Sequence, residues 1–168
     1  MRKTLALAII AAAVVAVAQT YAQTPAPVKV ASSWKCAPAN PVHAIPAGDA
    51  ADHAYMVQQG KCTATKGEIA GIADKEGVST EIAEATGNSV RGRGTFVETM
   101  ANGDKVFISY EFTGTSANKV MQSGSNKWTV TGGTGKFAAA KGSGSCTGKG
   151  TPDGGATFDC TGTVTLAK

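Results

Sequence analysis

Aromatic residues make up only 6% of this 168-residue chain and charged residues only 17%. The net charge of +4 is too small to point to a nucleic-acid partner. No apolar run reaches the roughly 20 residues that a membrane-spanning helix needs. The chain has two histidines and neither a CxxC nor an HxxxH motif, and no histidine sits close to a cysteine. A metal site is therefore not expected, and nothing suggests a cofactor. No Ser-His-Asp set can be assembled. The 21 glycines follow no strict three-residue period, which excludes a collagen-like chain, and the 42% hydrophobic content excludes wholesale disorder.

What is present begins with an address. Met1-Arg2-Lys3 is a positive start, Leu5 to Val17 is apolar, and Thr20-Tyr21-Ala22 offers a small-residue cut before Gln23. This is the three-part pattern of a secretory signal peptide, residues 1–22, with Ala18 as an earlier alternative cut. No cysteine follows the apolar run, so no lipid anchor is implied. The expected location is outside the cytoplasm, periplasmic or secreted. Residues 23–50 carry Pro25, Pro27, Pro38, Pro41 and Pro46 and read as an irregular Pro/Ala-rich arm. Residues 51–168 read as one domain.

An oxidising compartment favours disulfides among Cys36, Cys62, Cys146 and Cys160. Four cysteines allow three pairings. Thr151-Pro152-Asp153-Gly154 has the chemistry of a type I turn. With Gly154 left-handed it becomes a three-residue hairpin loop, which puts residue 151 opposite 155 and Cys146 opposite Cys160. That is a non-hydrogen-bonded pair, the closer class, and it suits a bridge. Cys36 and Cys62 remain for each other.

From Gly60 onward, turn signals separate short runs rich in Val, Ile, Thr, Phe and Tyr, the pattern of antiparallel strands. In the last strand Ala156, Phe158, Cys160, Gly162, Val164 and Leu166 share one face, opposite Gly142, Gly144, Cys146 and Gly148. The Thr-rich face is left for solvent. Asn102-Gly103 marks a second hairpin. Taken as a two-residue turn, it sets Val106, Ile108, Tyr110 and Phe112 on one face with Thr99, Val97, Thr95 and Arg93. Glu98 and Glu111 fall on the other. The first face is the more apolar and is expected inward. A one-residue slip would exchange the faces. Further strands are expected near 54–65 and 120–131. Residues 79–86 fit a strand, with a Ser79-capped helix as the competing reading. The expected fold is all-β, an antiparallel up-and-down barrel of about eight strands, with a sandwich as the other arrangement. Its Thr/Ser faces are too polar for lipid and it lacks aromatic girdles, so a membrane-spanning barrel is not expected.

Residues 128–144, Trp128-Thr129-Val130-Thr131-Gly132-Gly133-Thr134-Gly135-Lys136-Phe137 followed by Ala138-Ala139-Ala140-Lys141-Gly142-Ser143-Gly144, resemble a signature turn of the allene oxide cyclase and dirigent-like barrels. The resemblance implies an eight-stranded antiparallel barrel around an apolar cavity. Enzymes of that group guide cyclisation or coupling by the shape of a pocket. The shared turn carries fold rather than catalysis, and no catalytic residue of either family is matched.

The same glycines fail as a phosphate loop, because Phe137 follows Lys136 and position 130 is Val. Position 147 is Thr, so Gly142-Ser143-Gly144 fails the dinucleotide pattern as well. Arg91-Gly92-Arg93-Gly94 reads either as a solvated strand entrance or as a clamp for an anionic head group, with Arg93 placed at the cavity mouth below Phe112. Asp52-His53 is the one acid–His neighbour pair, but adjacent strand residues face opposite ways. Val97, Ile108, Tyr110, Phe112, Trp128 and Phe158, with Arg93, are the candidate ligand-binding residues. The function expected is binding of a small, largely apolar molecule in the barrel. The alternatives are a cyclase or isomerase acting by pocket shape and a structural or interaction protein of the cell envelope with a filled barrel. The oligomeric state is not legible.

Overall fold

The computed structural model describes residues 25–118 and 120–166, so the expected signal segment lies outside the described residues. The strands are β1 (Val28–Cys36), β2 (Val42–Pro46), β3 (His53–Lys66), β4 (Glu68–Ile69), β5 (Ile72–Thr86), β6 (Ser89–Met100), β7 (Lys105–Ala117), β8 (Val120–Gly133), β9 (Lys141–Gly150) and β10 (Ala156–Thr165). A 3-10 turn over Gly135–Phe137 joins β8 to β9.

Every strand from β5 to β9 pairs antiparallel with its successor, β3 pairs with β5, and β1 lies between β10 and β3. The ring is thereby closed: an eight-stranded, antiparallel, up-and-down barrel. Closure removes the unpaired strand edges that an open sheet would expose. Residues 79–86 belong to strand β5, not to a helix.

The N-terminal segment differs from expectation. Residues 28–36, read from their surroundings as part of an irregular arm, form β1 and complete the barrel. Val28-Lys29-Val30 alternates in strand fashion between the prolines, and those prolines fall outside β1. Pro38 and Pro41 occupy the break at 37–41, where a missing N–H costs no ladder bond. The chain then resumes the same edge of β3 as β2, pairing Val42 with Gln58 and Pro46 with Ala54.

Turn chemistry sets the registers. At 151–155 the loop forms as its sequence dictates: Gly154 has φ +84°, and the Gly154 N–H donates to the Thr151 carbonyl at 2.9 Å. Cys146 consequently pairs with Cys160, and the disulfide joins them with Cα atoms 4.0 Å apart. The second disulfide joins the paired residues Cys36 and Cys62, Cα atoms 3.9 Å apart, and ties β1 to β3.

The Asn102-Gly103 hairpin turns on three residues rather than two. The Met100 N–H donates to the Asp104 carbonyl at 2.9 Å, and Gly103 takes φ +87°. Asn102 Oδ1 accepts the Asp104 N–H at 3.1 Å, which holds the longer loop. The extra loop residue shifts β6 by one position, so Arg93 pairs with Glu111 and Val97 with Phe107. Arg93 and Val97 therefore stand on the outer face, against expectation. Phe96, Glu98 and Met100 turn inward together with Ile108, Tyr110 and Phe112.

One end of the barrel is sealed. Phe137 and Ala140 are fully buried there with Met100, Val106, Val130, Val164 and Ile69. The turn that carries Phe137 is latched: the Lys105 N–H donates to Thr134 Oγ1 at 2.8 Å and the Lys136 N–H to Asp104 Oδ2 at 3.1 Å. The motif at 132–137 is thus a plug. At the other end, the loops around 51–52, 87–88, 116–118 and 154–155 ring the mouth.

Candidate functional site: the barrel lumen

Glycines on the inner face decide why the lumen is open. Trp128 lies against Gly144 and Gly162, and a Cβ at either position would run into the indole. Phe112 lies likewise over Gly114 and Gly124, and Phe96 over Gly77. The rings are laid along the wall instead of across the axis. An eight-stranded barrel can be filled by its side chains or hold one small ligand. Here a cavity of about 1080 Å³ runs from the sealed end to the mouth.

Of the residues singled out from the sequence, Ile108, Tyr110, Phe112, Trp128 and Phe158 line this cavity together. Arg93 and Val97 do not, for the register reason given above. Arg93 is exposed, beside Ile82 on one side and Glu111 on the other. Trp34 adds a second indole to the wall, edge-on to Phe96 with ring centroids 5.2 Å apart.

The polar residues of the lumen were missed. Glu98, expected outside with Glu111, is only 4% exposed and faces inward. The glycine alternation of β6 carried the clue, because Gly92 and Gly94 mark the inner face on which Phe96, Glu98 and Met100 follow. Burial, then the nearby charge of Asp74, pushes the Glu98 carboxyl up to about 9. Asp74 is raised as well, chiefly by burial. The two carboxyls are close neighbours, and the charge of Asp74 favours the protonated form of Glu98. Among the described residues no donor reaches Asp74 Oδ1 or Glu98 Oε1.

Glu81, higher in the lumen, is raised by burial too, but it is well partnered. Its Oε1 accepts from Gln58 Nε2 at 2.9 Å, and the Tyr110 hydroxyl donates to the same carboxyl. Tyr110 is shifted upward, first by its own burial and then by the charge of Glu81. On β8, Asn126 Oδ1 and the Trp128 indole N–H face the cavity without a partner. The Trp34 indole, by contrast, donates to Ser32 Oγ at 3.0 Å.

His53 lies away from this constellation. Its Nδ1 is 2.7 Å from Asp49 and its Nε2 2.8 Å from Glu84. The hydrogen bond to Glu84, then that to Asp49, raises its pKa. With both nitrogens engaged, the imidazole fastens the loop before β3 to β5 and is not free to act as a base. Asp52, its sequence neighbour, is not its partner. His43 is exposed on β2. Among the described residues no cluster of three or more His, Cys, Asp or Glu is placed to hold a metal ion. Among those residues no helix is long and apolar enough to cross a membrane.

No protein-family model, curated protein or solved structure matches the chain.

Proposed function

We propose that this is an exported, disulfide-stabilised barrel that holds a small, largely apolar molecule in its lumen. The observation that carries the reading is the cavity itself: sealed at one end, open at the other, and walled by Trp34, Phe96, Ile108, Tyr110, Phe112 and Trp128. Pockets of this make-up, apolar walls with a few placed polar groups, are the usual form of small-molecule sites. The signal-like first 22 residues and the two disulfides support export. The likeness of the Trp128–Gly144 turn to the allene oxide cyclase and dirigent-like barrels supports a cavity barrel as well.

A second reading, an isomerase or cyclase, is favoured by one observation. The Glu98 carboxyl, pushed up to about 9, stands inside the lumen, where a neutral acid can donate a proton near pH 7. A filled structural barrel is disfavoured by the size of the cavity.

Native mass spectrometry of protein purified gently from its export compartment tests the reading, together with uptake of Nile red by the emptied protein. A reproducible adduct of ligand mass, or saturable dye uptake competed by apolar compounds, supports it. A bare mass together with no dye uptake overturns it.

A further inference from the structure

The polar inventory of the lumen is one-sided. Asp52, Asp74, Glu81 and Glu98 line the cavity, and among the described residues no Lys, Arg or His does. A carboxylate-headed ligand would have no counter-charge there. Among the unpartnered polar atoms, acceptors outnumber donors: Asp74 Oδ1, Glu98 Oε1 and Asn126 Oδ1 against the Trp128 indole N–H. Buried polar groups without partners are rare and costly, so a constellation of them around a cavity marks where a ligand's polar atoms belong.

The acids differ in what they still require. Glu81 is satisfied by Gln58 and Tyr110. Among the described residues no donor reaches Asp74 Oδ1 or Glu98 Oε1, and Glu98 is more than nine-tenths buried beside the sealed end. The carboxylate of Glu68, on β4, adds to the negative field at Asp74. Glu81 and Tyr110 stand further toward the mouth, and among the described residues no cation lines the cavity beside the pair. We propose that the lumen takes an aliphatic amine, its ammonium head seated on Asp74 and Glu98 and its apolar tail running past Phe96, Tyr110 and Phe112 toward the mouth. This inference rests on the cavity-binding reading above and names the class of ligand.

An ammonium group supplies three donors and no acceptor, the complement of this carboxyl pair. It neutralises a charge that burial otherwise makes costly. The reach also fits. From Val90 at the mouth to Glu98, β6 rises about 27 Å at ~3.4 Å per residue, or roughly 20 Å along an axis tilted by ~40° to the strands. A straight chain of ten carbons fits within that depth. Seating the ammonium displaces the Glu98 proton to solvent, so amine affinity rises with pH until the amine itself loses its charge.

The test uses three probes of equal chain length: decylamine, decanol and decanoate. Both tryptophans, Trp34 and Trp128, line the cavity, so intrinsic fluorescence reads occupancy directly. Near neutral pH, decylamine is expected to bind at least about tenfold tighter than either other probe, the worth of one charge-assisted hydrogen bond. Asp74→Asn combined with Glu98→Gln is expected to abolish that preference while decanol still binds. Glu98→Gln alone, which leaves one carboxylate, is expected to weaken decylamine several-fold. Decanol or decanoate binding as tightly as decylamine overturns the inference and leaves the cavity reading standing. So does a preference for the amine that survives the double substitution. If none of the three probes nor Nile red binds, both fall.

Discussion

Glu98→Gln makes a physical prediction that does not depend on any ligand. In the unfolded chain a glutamate titrates near 4.3, whereas in the fold Glu98 is pushed up to about 9. A carboxyl raised by folding binds more protons in the native state than in the unfolded state between those two values. The sign follows from linkage. Stability is highest below the unfolded pKa and falls as pH rises toward the folded one. One proton gives a slope of about 1.4 kcal/mol per pH unit, so the wild-type protein loses roughly 4 kcal/mol between about pH 5 and pH 8 from this group. Asp74, raised as well, acts in the same direction. Glutamine keeps the shape, supplies an N–H to Asp74 and cannot ionise. The variant is expected to match wild type to within about 1 kcal/mol at pH 5 and to exceed it by a few kcal/mol at pH 8. Urea unfolding under non-reducing conditions, at pH steps across this window and with the m-value held as a check on two-state behaviour, measures the difference directly. Parallel stability curves for the two proteins would refute the argument, because they would mean that Glu98 is already ionised in the fold.

Further expectations concern the frame around the lumen. Replacing both Cys146 and Cys160 by Ser removes a 14-residue link and is expected to cost about 3 kcal/mol while the barrel is retained, as thermal unfolding and the amide spectrum would show. Gly162→Val drives a side chain into the Trp128 indole and is expected to destabilise by roughly 2 kcal/mol or more, with a shift in tryptophan emission; an unchanged spectrum would contradict the wall-lying ring. The His53 imidazole is expected to titrate above its usual value and to fall back in Glu84→Gln, as followed by NMR. The stability contributed by its contacts is present at low pH and lost as pH rises through the folded pKa. Arg93→Ala, on the outer face, is expected to leave Nile red binding unchanged, whereas the sequence reading would have it at the cavity mouth.

Much of the barrel could be read from residues. Thr151-Pro152-Asp153-Gly154 specified its own turn, and both the β9–β10 register and the 146–160 bridge followed from it. The alternation of small and large residues in β9 and β10 located their inner faces. The error at Ala101-Asn102-Gly103 shows the limit of such reasoning. Asn-Gly suits a two-residue turn, yet the Asn102 side chain reaching the Asp104 N–H favours three, and one residue of difference carried Arg93 out and Glu98 in. β1 was obscured by the prolines on either side of it. Its pairing is with β10, more than a hundred residues away, and no local signal announces a partner so distant. The acidic lining was hidden by the one-residue shift at the 101–103 turn: Asp74 and Glu98 meet only once β6 turns Glu98 inward beside β5.

The seam between β1 and β10 has a consequence for how the molecule is made. Val28 meets Val164, so the wall cannot be completed until β10 is available to pair with β1. Until then the apolar inner faces of the growing meander are open to water and to other chains. The link from Cys36 to Cys62 spans only 26 residues and needs nothing from the C-terminal half. It can fasten β1 beside β3 early, leaving β1's free edge as a template on which the last strand to arrive finds its place.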